Sequence, residues 1–217
     1  MLVQDKKNSI EKTKTKIEKR KILNQETIEG ITCLGPLNII HLDVIIGSFR
    51  KLCEEKMNPV FCDNWKGLYP QSIKNGISLH FSNVHPYVRS WVIIYTKWLR
   101  KILCFPVHVN VYCVFGHKIR CCDHSLAYGR IIEPINRVKH PIIYLACGSF
   151  LQNDEIDEFM RDETELILYT FSHEIIHYFQ YINGYDMTTK GIEWQATYYG
   201  KRLLKTFDSL YDGYDDE

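Results

Sequence analysis

The stretch His173-Glu174-Ile175-Ile176-His177 decides how the rest of this chain is read. It lies in a run where Leu168, Phe171, Ile175, Phe179 and Ile182 recur at helical spacing. Residues 163–182 are therefore expected to form one helix with those five side chains facing a core. Residues four apart on an α-helix share a face. His173 and His177 can thus present two imidazoles to one metal ion from adjacent turns. Glu174 points about a quarter-turn away, where it can reach water at that ion.

Two histidines hold a metal poorly, and a catalytic site ordinarily has three protein ligands. Downstream, Asn183-Gly184 reads as a helix stop, residues 185–189 as a short loop, and residues 190–207 as a last helix. From His177 the first helix climbs roughly 9 Å at 1.5 Å per residue before it turns. The returning helix then brings Glu193 back to about the level of the histidines. Glu193, Ala196 and Gly200 share one face of that helix. Glycine inside a helix costs about 1 kcal/mol relative to alanine. Its presence is accounted for if small residues let the two helices approach closely enough for a carboxylate to reach the metal. The other reading of Glu193 is a surface carboxylate favoured by a helix N-terminus.

His173-Glu174-x-x-His177 followed by Glu193-x-x-Ala196 resembles the gluzincin zinc metallopeptidases, with the minimal gluzincins and the ImmA/IrrE-like proteases as the best match. The resemblance spans roughly residues 105–207. It implies an α+β, zincin-like fold: a small mixed or antiparallel sheet packed against an active-site helix and a following glutamate-bearing helix. It also implies one zinc ion held by His173, His177 and Glu193, with Glu174 as the general base in peptide-bond hydrolysis. The chain departs from the family in two respects. Thr197 stands where many members carry an acidic residue that orients a ligand histidine. The gap between His177 and Glu193 is also short. SprT-like metalloproteases are the second choice, but Lys190 falls where their third histidine would be, and a lysine ammonium has no lone pair for zinc. The upstream cysteine motif of peptide deformylases is missing.

Upstream of the pentad, Val88, Trp91, Val92, Tyr95, Trp98 and Leu99 form an apolar stripe that predicts a helix over residues 86–103. Ser82-Asn83 is the expected cap and Pro86 sits in the first turn. Strands are expected at 107–113, which alternates at period two, at 127–132, and at 141–147, which reads as central. Residues 153–162 read as an acidic loop or short helix. Residues 53–80, rich in Pro, Gly and Asn, read as irregular connections. Residues 37–52 are apolar on one face and fit either a strand or a helix. Residues 1–29 form a basic polar arm without interleaved aromatics. The simplest partition is this arm, a helical and irregular part over 30–104, a catalytic core over 105–207 and an acidic tail over 208–217.

The chain of 217 residues carries a net charge of +1, which gives no global case for a nucleic-acid partner. Contact with nucleic acid is expected, if anywhere, only through residues 1–29. Neither a signal sequence nor a membrane-spanning run is evident, so no membrane partner and a cytoplasmic setting are expected. The eight cysteines are irregularly spaced and are expected to be reduced. Cys121-Cys122-Asp123-His124 could hold a soft metal, but buried free thiols are the preferred reading.

The expected activity is hydrolysis of a peptide or protein substrate by water activated at zinc, with Tyr185, Tyr181, Tyr128 and His140 as candidate donors to the transition state. Either the strand at 127–132 or that at 141–147 could pair with extended substrate backbone. The alternative is a catalytically silent zincin-fold module that contacts nucleic acid or a protein. A third possibility is a metal-free coincidence on an amphipathic helix.

Overall fold

Apolar alternation and helical stripes resolve into one α+β unit, seen in a computed structural model that describes residues 64–70 and 73–211. The expectations for 1–29, for 37–52 and for 53–63 and 71–72 of the irregular segment lie outside the described residues. A short 3-10 turn at Asn64–Gly67 leads into β1 (Ile77–Ser82), α1 (Pro86–Ile102), β2 (Val109–Val114), β3 (Ile119–Arg120), β4 (Leu126–Ala127), β5 (Gly129–Ile132), β6 (Ile142–Ala146), α2 (Glu158–Ile182) and α3 (Thr189–Tyr211).

Four strands form a mixed sheet in the order β1-β2-β6-β5, and β3 and β4 form a separate hairpin. β1, β2 and β6 run parallel, while β5 runs antiparallel to β6 and forms one edge of the sheet. On β2 the pleat buries Val109, Val111 and Cys113 and leaves Asn110, Tyr112 and Val114 half-buried. The buried face, with Ile143 and Leu145 of β6, joins the same core as Val88, Val92, Tyr95 and Leu99 of α1 and Phe171 and Ile175 of α2. On the opposite face, Tyr112 stacks between His80 and Tyr144 at 4.6 and 5.4 Å, in register across three strands.

The helix stripes fall where the sequence places them, and the differences are local. β1 occupies a segment expected to be irregular. α1 is capped by His85, whose Nδ1 accepts from Tyr87 N at 3.3 Å, and not by Ser82-Asn83. Asn83 instead takes a left-handed turn with φ of 55°. β2 begins two residues later than expected, because Tyr178 takes both backbone groups of Val107: its hydroxyl donates to the carbonyl at 2.6 Å and accepts from the N–H at 3.2 Å. The strand expected at 127–132 is broken at Tyr128 into β4 and β5. α2 starts before 163 because Asp157 caps it, accepting from Met160 N at 2.8 Å. α3 runs on through Tyr211, past the expected start of the tail at 208.

Candidate metal centre

The pentad sits in the middle of α2, and bonds to two other elements hold its turns in place. One turn carries Ser172, which accepts from the Tyr95 hydroxyl of α1 at 2.5 Å and donates to Leu168 O at 2.7 Å. The other carries Tyr178, tied to Val107. Ile175 and Ile176 are fully buried, while His173 and His177 are partly exposed. The helix ends where Asn183 Nδ2 donates to Phe179 O at 2.9 Å and Gly184 takes φ of 64°, a conformation suited to glycine.

α3 then returns along α2. A Cβ added to Gly200 would lie 3.2 Å from His173 N and 3.3 Å from His173 Cα. Ala196, on the same face, is fully buried. Further along, Phe207 enters the aromatic core, 4.8 Å from Tyr95 and 5.4 Å from Trp98 between ring centroids. The small residues thus set how close the helices come, and Phe207 anchors the far end of α3.

This packing brings His173, His177 and Glu193 together. The two Nε2 atoms are 2.9 Å apart, and Glu193 carboxylate oxygens lie 3.3 Å from His173 Nε2 and 3.5 Å from His177 Nε2. Ligands on a tetrahedral ion at Zn–N distances of about 2.0–2.1 Å would be roughly 3.3 Å apart. The three donors therefore already have the spacing of a coordination shell. Among the described residues this is the one group of three or more His, Cys, Asp or Glu donors that close. Burial and the neighbouring His177 hold the His173 imidazole below its ordinary pKa, and Glu193 partly offsets this. The ring therefore favours its neutral, ligating form. Glu193 is 58% exposed, so the group opens to solvent on that side.

Gln180 supplies the orientation that Thr197 does not. Its Nε2 donates to Ile192 O at 3.0 Å and to Gln195 Oε1 at 2.8 Å, which leaves Oε1 to accept from His177 Nδ1 at 2.7 Å. The Nδ1–H tautomer of His177 leaves its Nε2 lone pair directed at Glu193 and His173. One amide thus orients a ligand on α2 and clasps the helix that carries Glu193.

Glu174 lies between this group and β5. It is 6% exposed. Burial, then the negative charges of Glu193 and Glu133, push its carboxyl up to about 8, against a lowering hydrogen bond from the Ile131 N–H. β5 comes this close because residue 129 is glycine. A Cβ there would lie 2.6 Å from Thr170 Cγ2 and 2.9 Å from Glu174 Cγ. A cavity of about 320 Å³ opens at Gln180, lined in part by Glu133, Arg137, Gln180, Tyr181, Tyr185 and Ile192. Burial raises the Glu133 carboxyl, offset by His177 and then Arg137. Arg137 braces the rim, donating to Tyr69 Oη and Tyr181 O at 2.9 Å each.

Of the four candidate donors, Tyr185 and Tyr181 line this cavity, and the Tyr181 hydroxyl donates to Pro134 O at 2.6 Å. Tyr128 lies under Lys118, and His140 packs against His108. Gly129, Glu133 and the role of Gln180 were not anticipated from sequence. Gln180, three residues after His177 on a helix, was the one with a readable signal. Cys121 and Cys122 are not buried, contrary to expectation, whereas Cys113 and Cys147 are.

The described geometry is a His-His-Glu group within metal-binding distance, compatible with one metal ion, on an α+β scaffold. No protein-family model, no curated protein and no solved structure matches the chain. Among the described residues, no helix is long and apolar enough to cross a membrane.

Proposed function

We propose that the protein is a zinc-dependent peptidase of the gluzincin type, with His173, His177 and Glu193 as ligands and Glu174 as general base. The observation that carries this reading is the placement of a buried carboxylate beside, and not within, a three-donor group. A purely structural metal site would have its ligands closed around the ion and no need of such a base. Two imidazoles and one carboxylate suit zinc among the common divalent ions. When bound, zinc supplies Lewis acidity that acidifies water and polarises a carbonyl.

The residues of the chain do the rest. Glu174, desolvated against β5, takes a proton from the attacking water and returns it to the leaving amine. Its burial against β5 raises its proton affinity, which favours the return. β5 is an edge strand lying against α2, and of the two strands expected to pair with an extended peptide it is the one with a free edge. β6 is flanked on both sides. The cavity at Gln180, whose amide bonds His177, has room for a substrate side chain.

Glu174→Gln is the test. The variant is expected to bind zinc as the wild type does and to lose hydrolysis of a fluorogenic peptide library by at least about a hundredfold. Hydrolysis at the wild-type rate by the zinc-loaded variant would refute the assignment of the base.

A further inference from the structure

The β3–β4 hairpin carries chemistry that the metal group does not use. Its turn, Cys121-Cys122-Asp123-His124, is held in one shape. Cys121 N donates to Ser125 O at 2.9 Å, and His124 N donates to Cys121 O at 3.0 Å. Asp123 Oδ1 accepts from both the N–H and the hydroxyl of Ser125, at 3.1 and 2.7 Å. Cys122 is exposed and Cys121 half-buried. Arg130, on the neighbouring strand β5, donates from Nη1 to Cys122 Sγ at 3.6 Å. The Asp123 carboxylate lies within this guanidinium's field. The two sulfurs and His124 do not form a three-donor metal group.

We propose that Cys121 and Cys122 form a reversible modification site that takes a low-molecular-weight disulfide, with Arg130 as the residue that positions the Cys122 sulfur. Cys122 Sγ gives its proton to solvent and attacks one sulfur of the reagent. The S–S bond of the reagent breaks, one thiolate leaves and is protonated, and Cys122 carries a mixed disulfide. Cys121 Sγ then loses its proton and attacks Cys122 Sγ. The bond to the reagent's second half breaks, and a second thiol leaves. Two electrons pass from the cysteine pair to the reagent, which ends as two thiols. Adjacent Cα atoms are about 3.8 Å apart, closer than in ordinary disulfides, so the ring is strained and easily reduced. That makes the site a switch and not a staple. Arg130 lies between Gly129 and Ile131, the two β5 residues that contact Glu174, so the hairpin's sulfurs touch the strand that packs on that carboxylate.

The full chain, incubated with oxidised glutathione, trapped with N-ethylmaleimide at intervals and mapped by peptide mass spectrometry, tests this, with exposed Cys104 as internal reference. The peptide holding both cysteines should lose about 2 Da at least tenfold faster than Cys104 gains glutathione, and reduced glutathione should reverse it. Arg130→Gln should slow the loss about fivefold or more, and Arg130→Lys should restore most of it. A pair that reacts no faster than Cys104, or that stops at the mixed disulfide, would overturn the proposal. So would an Arg130→Gln protein of unchanged circular dichroism that oxidises at the wild-type rate. Were that variant misfolded, the wild-type comparison with Cys104 would decide.

Discussion

Gly200 on α3 faces the backbone of His173 on α2 so closely that a Cβ at position 200 would lie 3.2 Å from His173 N. The approach of the two helices is what carries Glu193 to the imidazoles. Gly200→Ala gains helix propensity of about 1 kcal/mol but must push α3 away by a few tenths of an ångström. Gly200→Val adds bulk that the backbone cannot accommodate. Zinc affinity, measured by chelator competition, is expected to fall modestly for alanine and at least about tenfold for valine. Equal affinities across the series would mean that helix separation does not set the site.

Gln180 makes a second contribution that can be isolated. Gln180→Ala removes the acceptor for His177 Nδ1 and both donors to α3. A loss of roughly 10–100-fold in zinc affinity is expected. Gln180→Glu restores the acceptor for His177 but not the donors to α3, so it should recover only part of that loss.

Gly129 controls the base and not the metal. In Gly129→Ala the new methyl must displace Thr170 Cγ2 and Glu174 Cγ. Peptide hydrolysis is expected to fall at least about tenfold while zinc content stays at the wild-type level. Loss of zinc along with activity would show that β5 supports the ligands themselves.

The convergence of His173, His177 and Glu193 was legible because both of its parts are local: a pentad fixed by helical geometry, and a carboxylate one turn-and-return away. The small face Glu193-Ala196-Gly200 even announced the close packing. Glu133 and Gly129 were not legible, since their positions depend on β5 pairing with β6, and nothing within residues 127–132 specifies that partner. β1 was hidden for a related reason. Its six residues follow a segment rich in Gly and Pro, and its parallel pairing with β2 spans the whole of α1. The capping of α1 by His85 turned on a side-chain nitrogen that the usual capping residues do not suggest.

His140 provides a pH dependence. Its Nδ1 is buried without a hydrogen-bond partner, and burial, then His108, then Lys74 hold its pKa below the ordinary histidine value. The unfolded chain therefore binds more protons than the folded one at pH values below that ordinary value. The neutral ring's contribution is fully present above about pH 6.5 and declines as pH falls through the window below it. Thermal melts of the full chain from pH 7.5 to 5.5 should show a shallower loss of Tm for His140→Gln than for the wild type. Parallel curves would remove His140 from the acid sensitivity.

The claim on which the account rests is that His173, His177 and Glu193 share one ion. The measurement that bears on it most directly is metal content and zinc-edge X-ray absorption of the purified full chain, wild type against Glu193→Ala. The account predicts about one zinc per chain with two imidazole nitrogens and at least one carboxylate oxygen in the shell, and a loss of zinc from the variant under mild chelation. A wild-type protein that takes up no zinc, or a variant that retains it with an unchanged shell, would contradict it.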